Sequence, residues 1–327
     1  MNRRELLLSA ASAIALPIVG APRRVAAQAY PSRPIRIIVP SSPGGVHDIV
    51  ARLWAERLKG VASFVVENRS GAGTIIGTVE VARAEPDGYA ILLGSTNTHI
   101  LQPLSTNRPS YDPIKDFTPI FLIGTTATAI AINPKIPVHT LGELIAYVKA
   151  NPGKLSYGHG GTGTNTHLSG ELFKQLAGGL DIVSVPYKGL APAFGDVVSG
   201  QISMVFANVT NQVIGFHTAD QIRLISINAA ERLEAAPEIP TSKESGLPGM
   251  ISQTFFAMFA PANTPKPILD ALNEPTQAAL RDPEFRKKLS QSGYDPLTGY
   301  GPEEARRFIA AEYTRWEPIV RGIKVQN

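Results

Sequence analysis

The sequence predicts an α/β protein of two lobes joined by two crossing strands, and three observations carry that prediction. Apolar runs short enough for buried strands alternate with helical patterns at the spacing of parallel βα units. Glycine loops stand where strands end and helices begin. Two further apolar stretches, residues 120–133 and 254–260, interrupt the alternation where the chain would pass from one lobe to the other and back. The implied lobes are residues 30–130 with 254–327, and residues 131–253. Glycine loops of both lobes would face each other across a hinged cleft, the place where open α/β sheets bind ligands.

Taken in order, residues 35–40 are apolar apart from Arg36, as a strand buried on both faces of a parallel sheet should be. Ser41-Ser42-Pro43-Gly44-Gly45 ends the run. HDIVARLWAERL follows, with Ile49, Leu53, Trp54 and Leu58 at helical spacing, Asp48 where a cap or first-turn acid belongs, and Gly60 as the stop. The next unit is a strand at 64–67, the loop Ser70-Gly71-Ala72-Gly73, a helix near 74–83, the turn Pro86-Asp87-Gly88 and a strand at 89–93. The stretch IFLIGTTATAIAIN at 120–133 is too long for one strand and poor in helix punctuation, so it reads as the crossing into the second lobe. A helix at 141–150, strands at 155–157, 182–187, 202–206 and 222–227, and a helix at 191–199 resume the alternation. Residues 254–260 cross back, and helices at 266–280, 283–292 and 302–316 close the chain.

Ahead of the fold, residues 1–29 read as an export leader. Arg3 and Arg4 precede an apolar run at 6–19 too short for a stable membrane span, and Ala27-Gln28-Ala29 is a small-x-small cleavage site that makes Tyr30 the mature N-terminus. The twin arginines suggest the twin-arginine export route, although RRELLL lacks the usual polar residue in front and Lys behind. Four arginines and one glutamate leave with the leader, so the net charge falls from +4 to +1. A nearly neutral chain without a basic tract carries no electrostatic footprint for nucleic acid. The absence of cysteine excludes disulfides and thiol chemistry, so core burial must hold the fold together.

The stretch LSYGHGGTGTNTHLSGELFKQL at 155–176 combines a strand end, a glycine-rich loop and a helix with Leu168, Leu172 and Leu176 recurring every four positions. Such a loop holds backbone N–H groups beside a positive helix start, which makes an anion seat. Gly158, Gly160 and Gly163 match G-x-G-x-x-G, but the dinucleotide fingerprint needs an acid after the next strand, and Asp181 precedes it. A P-loop fails because Thr164 stands where Lys is required. With no lysine or arginine at 156–171, the guest expected is a small carboxylate held by backbone and hydroxyl donors. A merely tight strand-to-helix turn remains the alternative.

IIVPSSPGGVHDIVARL, VVENRSGAGTIIG, PDGYAILLGSTNTH, LSYGHGGTGTNTHLSGELFK, VPYKGLAPAFGDVVSGQI, EIPTSKESGLPG and FAPANTPKPILDALN, in this order, resemble the Bug-type receptors of tripartite tricarboxylate transporters. The similarity spans about residues 30–312. It implies a monomeric periplasmic solute-binding protein without a cofactor, a type II-like Venus flytrap whose crossing strands act as the hinge. It further implies that two facing loops hold the carboxylate and that the closed receptor docks on a two-component membrane permease. Carried over residue by residue, the first loop is Ser41, Ser42, Gly45, Val46 and His47, running on to Asp48. The second is His159, Gly160, Gly161, Thr162, Gly163 and Thr164, with His167 opening the helix. Asn97, Thr98 and His99 match a loop bordering the cleft, and Asp196 and Asn208 match polar positions on the second lobe. The chain departs from the family pattern at Ser41 (usually aromatic), at Val46 and His47 (usually Gly then Thr or Ser), and at His159, Ala207 and Phe255 (usually Ser, Asp and Trp). The space left at Ser41 favours a bulkier guest.

His47 and His159, one in each loop, are candidates to converge on a distal acid group; their ordinary reading is two exposed loop histidines. A metal site from His47, Asp48, His159 and His167 lacks any ligand spacing such as H-E-x-x-H. Asp48 reads as a helix-start residue, since a carboxylate would repel a carboxylate guest. Asp196 reads either as a solvated helix residue or as the receiver of an ammonium group, which would make the guest an amino acid. Catalysis has little support: there is no G-x-S-x-G elbow, and the loop Ser, His and Asp residues have no triad spacing. An anion-handling transferase on this architecture would need basic residues in its cleft, where only Arg52, Arg69 and Lys188 are near, all readable as structural. A receptor that signals to a sensor protein rather than feeding a transporter is the other alternative.

Overall fold

In the computed structural model, the IRIIV run folds as strand β1 (Ile35–Val39), every residue buried except Arg36, whose guanidinium is held by Glu67 and Glu80. The structure describes residues 30–106 and 108–322. The leader and its cleavage after Ala29 lie outside the described residues. Helix α1 (Val46–Arg57) follows, then β2 (Phe64–Asn68), a single tight turn at Ala72–Thr74, α2 (Ile75–Ala82) and β3 (Ala90–Ser95). Both β2 and β3 pair with β1 in parallel, the register that βαβ crossovers impose. Trp54 on the buried face of α1 has its ring centroid 4.7 Å from that of Phe64 and 5.5 Å from that of Phe121, and its indole N–H donates to Thr276 Oγ1 at 3.1 Å.

A wide helical turn at Asn97–Leu101 runs into the short α3 (Gln102–Leu104), and then comes β4 (Phe117–Ile132). The second half of the chain adds α4 (Leu141–Ala150), β5 (Ser156–His159), α5 (Asn165–Leu176), β6 (Val183–Pro186), α6 (Leu190–Ser199), β7 (Met204–Asn208), α7 (Asn211–Thr218) and β8 (Arg223–Ile227). It closes with β9 (Gln253–Pro261), α8 (Lys266–Arg281), α9 (Pro283–Gln291), β10 (Asp295–Pro296) and α10 (Pro302–Gly322). No helix among the described residues is long and apolar enough to cross a membrane.

The stretch expected to be too long for one strand is a single strand of 16 residues, because β4 changes neighbours along its length. Residues 117–127 pair with β9, while Gly124 and Thr125 meet β10 on the opposite edge. From Thr128 onward the partners are β7 and β8. The sheet order is β2-β1-β3-β9-β4-β7-β5-β6. It is parallel within each outer triplet, but β4 and β9 are antiparallel to their neighbours, since one carries the chain out and the other brings it back. This is the two-lobed α/β flytrap. Two apolar clusters gather residues from the start and end of the chain, and two others gather residues between 127 and 250. Leu168 of α5 is shared, packing into a cluster otherwise built from residues 38–122 and 255–320.

Where β4 switches partners, buried polar groups satisfy one another. Asn228 Nδ2 donates to Thr128 Oγ1 at 2.9 Å, Ser169 Oγ lies 3.1 Å from the same hydroxyl, Ser252 Oγ donates to Asn165 Oδ1 at 2.8 Å, and Asn165 Nδ2 donates to Thr254 Oγ1 at 2.7 Å. This network fastens the start of α5 to both passages of the chain between the halves.

Candidate functional site

Three strand-to-helix junctions enclose one cavity of about 490 Å³. The junction from β1 to α1 contributes Ser42, Gly45 and Val46; the one from β6 to α6 contributes Lys188, Gly189, Leu190 and Ala191; the one from β7 to α7 contributes Asn208, Thr210, Asn211 and Gln212. Each ends in a helix start, where the first N–H groups have no acceptor within the helix and the dipole is positive. Gly45 and Gly189 stand at the N-caps of α1 and α6 with no side-chain cap, and Gly189 adopts φ +97°, a conformation that favours glycine. Thr210 caps α7 through its hydroxyl, which accepts from Val213 N. Asn208 Nδ2 is buried and has no hydrogen-bond partner among the described residues. Ile49, Leu190, Phe194 and Val213 supply the apolar wall, and Ser292, beyond the end of α9, closes the rim.

The cavity lining contains one charged side chain, Lys188, and no carboxylate. Asp48 stands one turn into α1 with its charge already answered. Its carboxylate accepts from Gly44 N at 2.9 Å and from Arg52 Nε at 3.0 Å. Burial pushes its pKa up, but the hydrogen bonds from Arg52, Gly44 and Asn68 outweigh this and hold it below the usual carboxylate range. Asp48 therefore acts as a helix-start residue.

Of the residues singled out in the sequence, the cavity brings together Ser42, Gly45, Val46 and Asn208. Ser41 sits behind them, its hydroxyl buried and without a partner among the described residues, and its carbonyl accepting from Asn68 Nδ2 at 3.0 Å. His47 is buried, with Nε2 2.8 Å from Ser95 Oγ and its ring edge-on to Phe256 at 5.1 Å; desolvation pushes its pKa down to about 4. Asn97 reaches across to the second half, its Oδ1 accepting from Asn165 N at 3.1 Å. Thr98 is enclosed, bonded to Ser95 and to His99 Nδ1.

The second glycine loop spends its donors on itself. Gly160 N donates to Thr166 Oγ1 at 3.0 Å, Gly161 N to His159 Nδ1 at 3.2 Å, Gly163 N to His167 Nδ1 at 3.2 Å, and Thr164 N to Gly161 O at 3.2 Å. Thr164 also caps α5, and Thr162 is the exposed tip. His159 is buried with Nε2 3.0 Å from Ser184 Oγ; burial, then His167 with its ring centroid 4.4 Å away, pushes its pKa down to about 4. The loop braces the cavity from behind: a Cβ on Gly160 would stand 3.6 Å from Leu190 Cγ and 3.9 Å from Gly189 Cα. Asp196 is engaged by Tyr187, whose hydroxyl donates to Oδ2 at 2.6 Å. Among the described residues, no group of three or more His, Asp or Glu side chains is arranged to hold a metal ion.

Sequence reasoning reads Lys188 as structural and leaves Gly189, Leu190 and the start of α7 out of the site. The signal was present in Tyr-Lys-Gly-Leu-Ala-Pro, which repeats the strand, glycine, helix order of the other junctions.

Comparison with known proteins places this arrangement among relatives. The family model described as the tripartite tricarboxylate transporter family receptor matches residues 50–325. The protein BugT of Bordetella pertussis is 35% identical over 325 residues, covering 98% of each chain. The solved structure of the periplasmic binding protein BugD superposes with a TM-score of 0.80 at 33% identity, covering 91% of this chain and 99% of that one. R. palustris Rpa4515 with adipate superposes with a TM-score of 0.83 at 34% identity, covering 89% and 97%.

Proposed function

This chain belongs to the tripartite tricarboxylate transporter receptor family, a family of substrate-binding receptors and not of enzymes, and from that premise we propose that it captures a small carboxylate between its lobes and delivers it to a two-component membrane permease. One observation carries the reading: three helix starts converge on a cavity whose lining holds one lysine and no carboxylate. The bound state of the relative with adipate supports a carboxylate guest. We further propose lobes at residues 30–130 with 254–327 and at 131–253, and export to the periplasm by a leader cut after Ala29.

Backbone donors at helix starts suit reversible capture, because they hold an anion without a mobile counter-charge. Each hydrogen bond to a charged oxygen contributes about 1.5–3 kcal/mol. About four or five of them, less the cost of immobilising the guest, give micromolar or tighter binding. Closure about the partner switch of β4 would shield those bonds from water, and the closed form would be what the permease recognises.

A thermal-shift panel of dicarboxylates, aromatic carboxylates, amino acids and nucleotides tests the capture. A ligand at a hundred times its dissociation constant adds about 2.7 kcal/mol of stability, which raises the melting temperature by at least about 2–4 °C. A shift with one carboxylate class identifies the guest; a shift only with nucleotides or phosphate overturns the reading. Delivery is tested in cells by deletion, where loss of uptake supports transport and loss of induction alone supports sensing.

A further inference from the structure

A second cavity, of about 390 Å³, lies where the chain passes between its halves and shares no lining residue with the first. Its floor is the crossing itself. Asp295 of β10 and Phe255 of β9 flank Thr125 of β4 on opposite edges, so the register sets a carboxylate, a hydroxyl and an aromatic ring side by side on one face of the sheet. Phe308 of α10 stands edge-on to Phe255 with centroids 5.8 Å apart, and Tyr300 edge-on to Phe308 at 5.9 Å, which makes one wall aromatic. The other wall is the loop at 229–235, which carries Glu231 and Glu234 from the second half of the chain.

The polar groups of this cavity are not used by the fold. Thr125 is only 6% exposed, and its hydroxyl has no hydrogen-bond partner among the described residues. Glu231, Glu234 and Asp295 form no ion pair among the described residues. The neighbouring cations are engaged elsewhere: Arg232 contacts Glu244 at 3.0 Å and donates to Pro237 O, and Arg315 contacts Glu312 at 2.6 Å. Burial pushes the Asp295 pKa up, Arg286 pulls it back, and the charges of Glu231 and Glu234 raise it again. Unanswered negative charge beside aromatic rings suits an organic cation, because the carboxylates meet its charge and the rings attract both the charge and the carbon stem. A bare metal ion would gain little from the rings, and no three carboxylates or histidines among the described residues are arranged to hold one.

We propose that this second cavity binds a small organic cation, a primary ammonium on an apolar stem, with the ammonium donating to Asp295 and to the Thr125 hydroxyl and the stem lying against Phe255 and Phe308. Such a ligand touches both halves of the chain, Asp295 from one and the loop of Glu231 and Glu234 from the other. The site is independent of carboxylate capture.

The test is calorimetric titration of the purified protein with phenethylamine, with its neutral counterpart 2-phenylethanol and with calcium chloride, on wild type, Asp295→Asn and Thr125→Val. The expected result is saturable binding of phenethylamine to wild type, about tenfold or more tighter than 2-phenylethanol. Asp295→Asn should weaken the amine about tenfold and Thr125→Val severalfold, with the alcohol's affinity and the unliganded melting temperature unchanged. Added salt should weaken the amine and leave the alcohol alone. Absence of amine binding, equal binding of amine and alcohol, or amine binding that both variants keep overturns the site. Displacement of the amine by calcium at constant ionic strength overturns its assignment to an organic cation. None of these results touches carboxylate capture, which the carboxylate panel reads separately.

Discussion

Gly293 fixes how the corner between α9 and β10 meets the cavity. It adopts φ +87°, and a Cβ there would fall 2.1 Å from Val209 O and 2.8 Å from Thr210 Cα, backbone atoms that cannot rotate away. Its neighbour Tyr294 donates its hydroxyl to Val46 O, so the corner touches two of the three junctions around the cavity. Gly293→Ala is therefore expected to lower stability by about 1–3 kcal/mol in urea unfolding and to weaken carboxylate binding as well. Gly299 has a similar φ of +80° but nothing within 4 Å of its would-be Cβ. Gly299→Ala should cost only about 1 kcal/mol of backbone strain and leave binding intact; equal costs at the two sites would refute the clash. Asn208 predicts the opposite pattern. Its Nδ2 lines the cavity and has no partner among the described residues, so it is free to donate to a guest and does not hold the fold together. Asn208→Ala should leave the unliganded melting temperature unchanged or higher while weakening the guest about tenfold, and a drop in unliganded stability would argue that the amide has another role.

Among the elements, α4 and α7 both start on a threonine cap. Thr140 forms a full capping box with Glu143, and Thr210 accepts from Val213 N. Either substitution by alanine should cost about 1 kcal/mol. Only Thr210→Ala is expected to lower ligand affinity, because α7 opens on the cavity and α4 does not; comparing the two by melting temperature and titration separates a local effect from general loosening. The same two helices mark what could be read from the sequence. Helix α4 was legible because cap, box and the buried residues Leu141, Leu144 and Val148 all agree. Helix α7 was not, since Gly215 interrupts it and only Val213 is buried, so neither periodicity nor composition stands out. Strand β4 exceeds the length expected of one strand because a sequence does not show that a strand can change neighbours halfway. The glycine loop at 158–163 advertised its N–H groups, but their pairing with His159, Thr166 and His167 depends on side-chain placement that no spacing rule supplies. What was legible at the site was its grammar of strand, glycine and helix; which junctions converge was decided by sheet order.

At the scale of the whole molecule, buried neutral histidines in both halves couple stability to pH. His47 packs against Ser95 and Phe256, and His99 is fully buried with its ring centroid 3.6 Å from that of Phe259. His159 sits in the second glycine loop with Nδ1 accepting from Gly161. Desolvation pushes their pKa values down to about 4, about 3 and about 4, from the ordinary 6.5. A depressed folded pKa means that below 6.5 the unfolded chain takes up protons the folded chain refuses. The stability from these groups is fully present above pH 6.5 and is lost as pH falls toward 4. Each contributes a slope of up to about 1.4 kcal/mol per pH unit, so three acting together can remove much of a typical margin of about 5–15 kcal/mol before pH 4 is reached. In the second glycine loop the loss is also geometric. Protonation of His159 would turn the acceptor of Gly161 N into a donor, and His167, its own pKa lowered first by burial, would do the same to Gly163 N. Both changes remove internal hydrogen bonds from the loop that braces Gly189 and Leu190. Melting curves from pH 8 to 4.5 should fall steeply below about pH 6.5, and His99→Gln, which removes one buried imidazole outside the cavity lining, should flatten that fall without abolishing it. A melting temperature that stays level between pH 7 and 5 would show that these histidines are not held neutral by the fold.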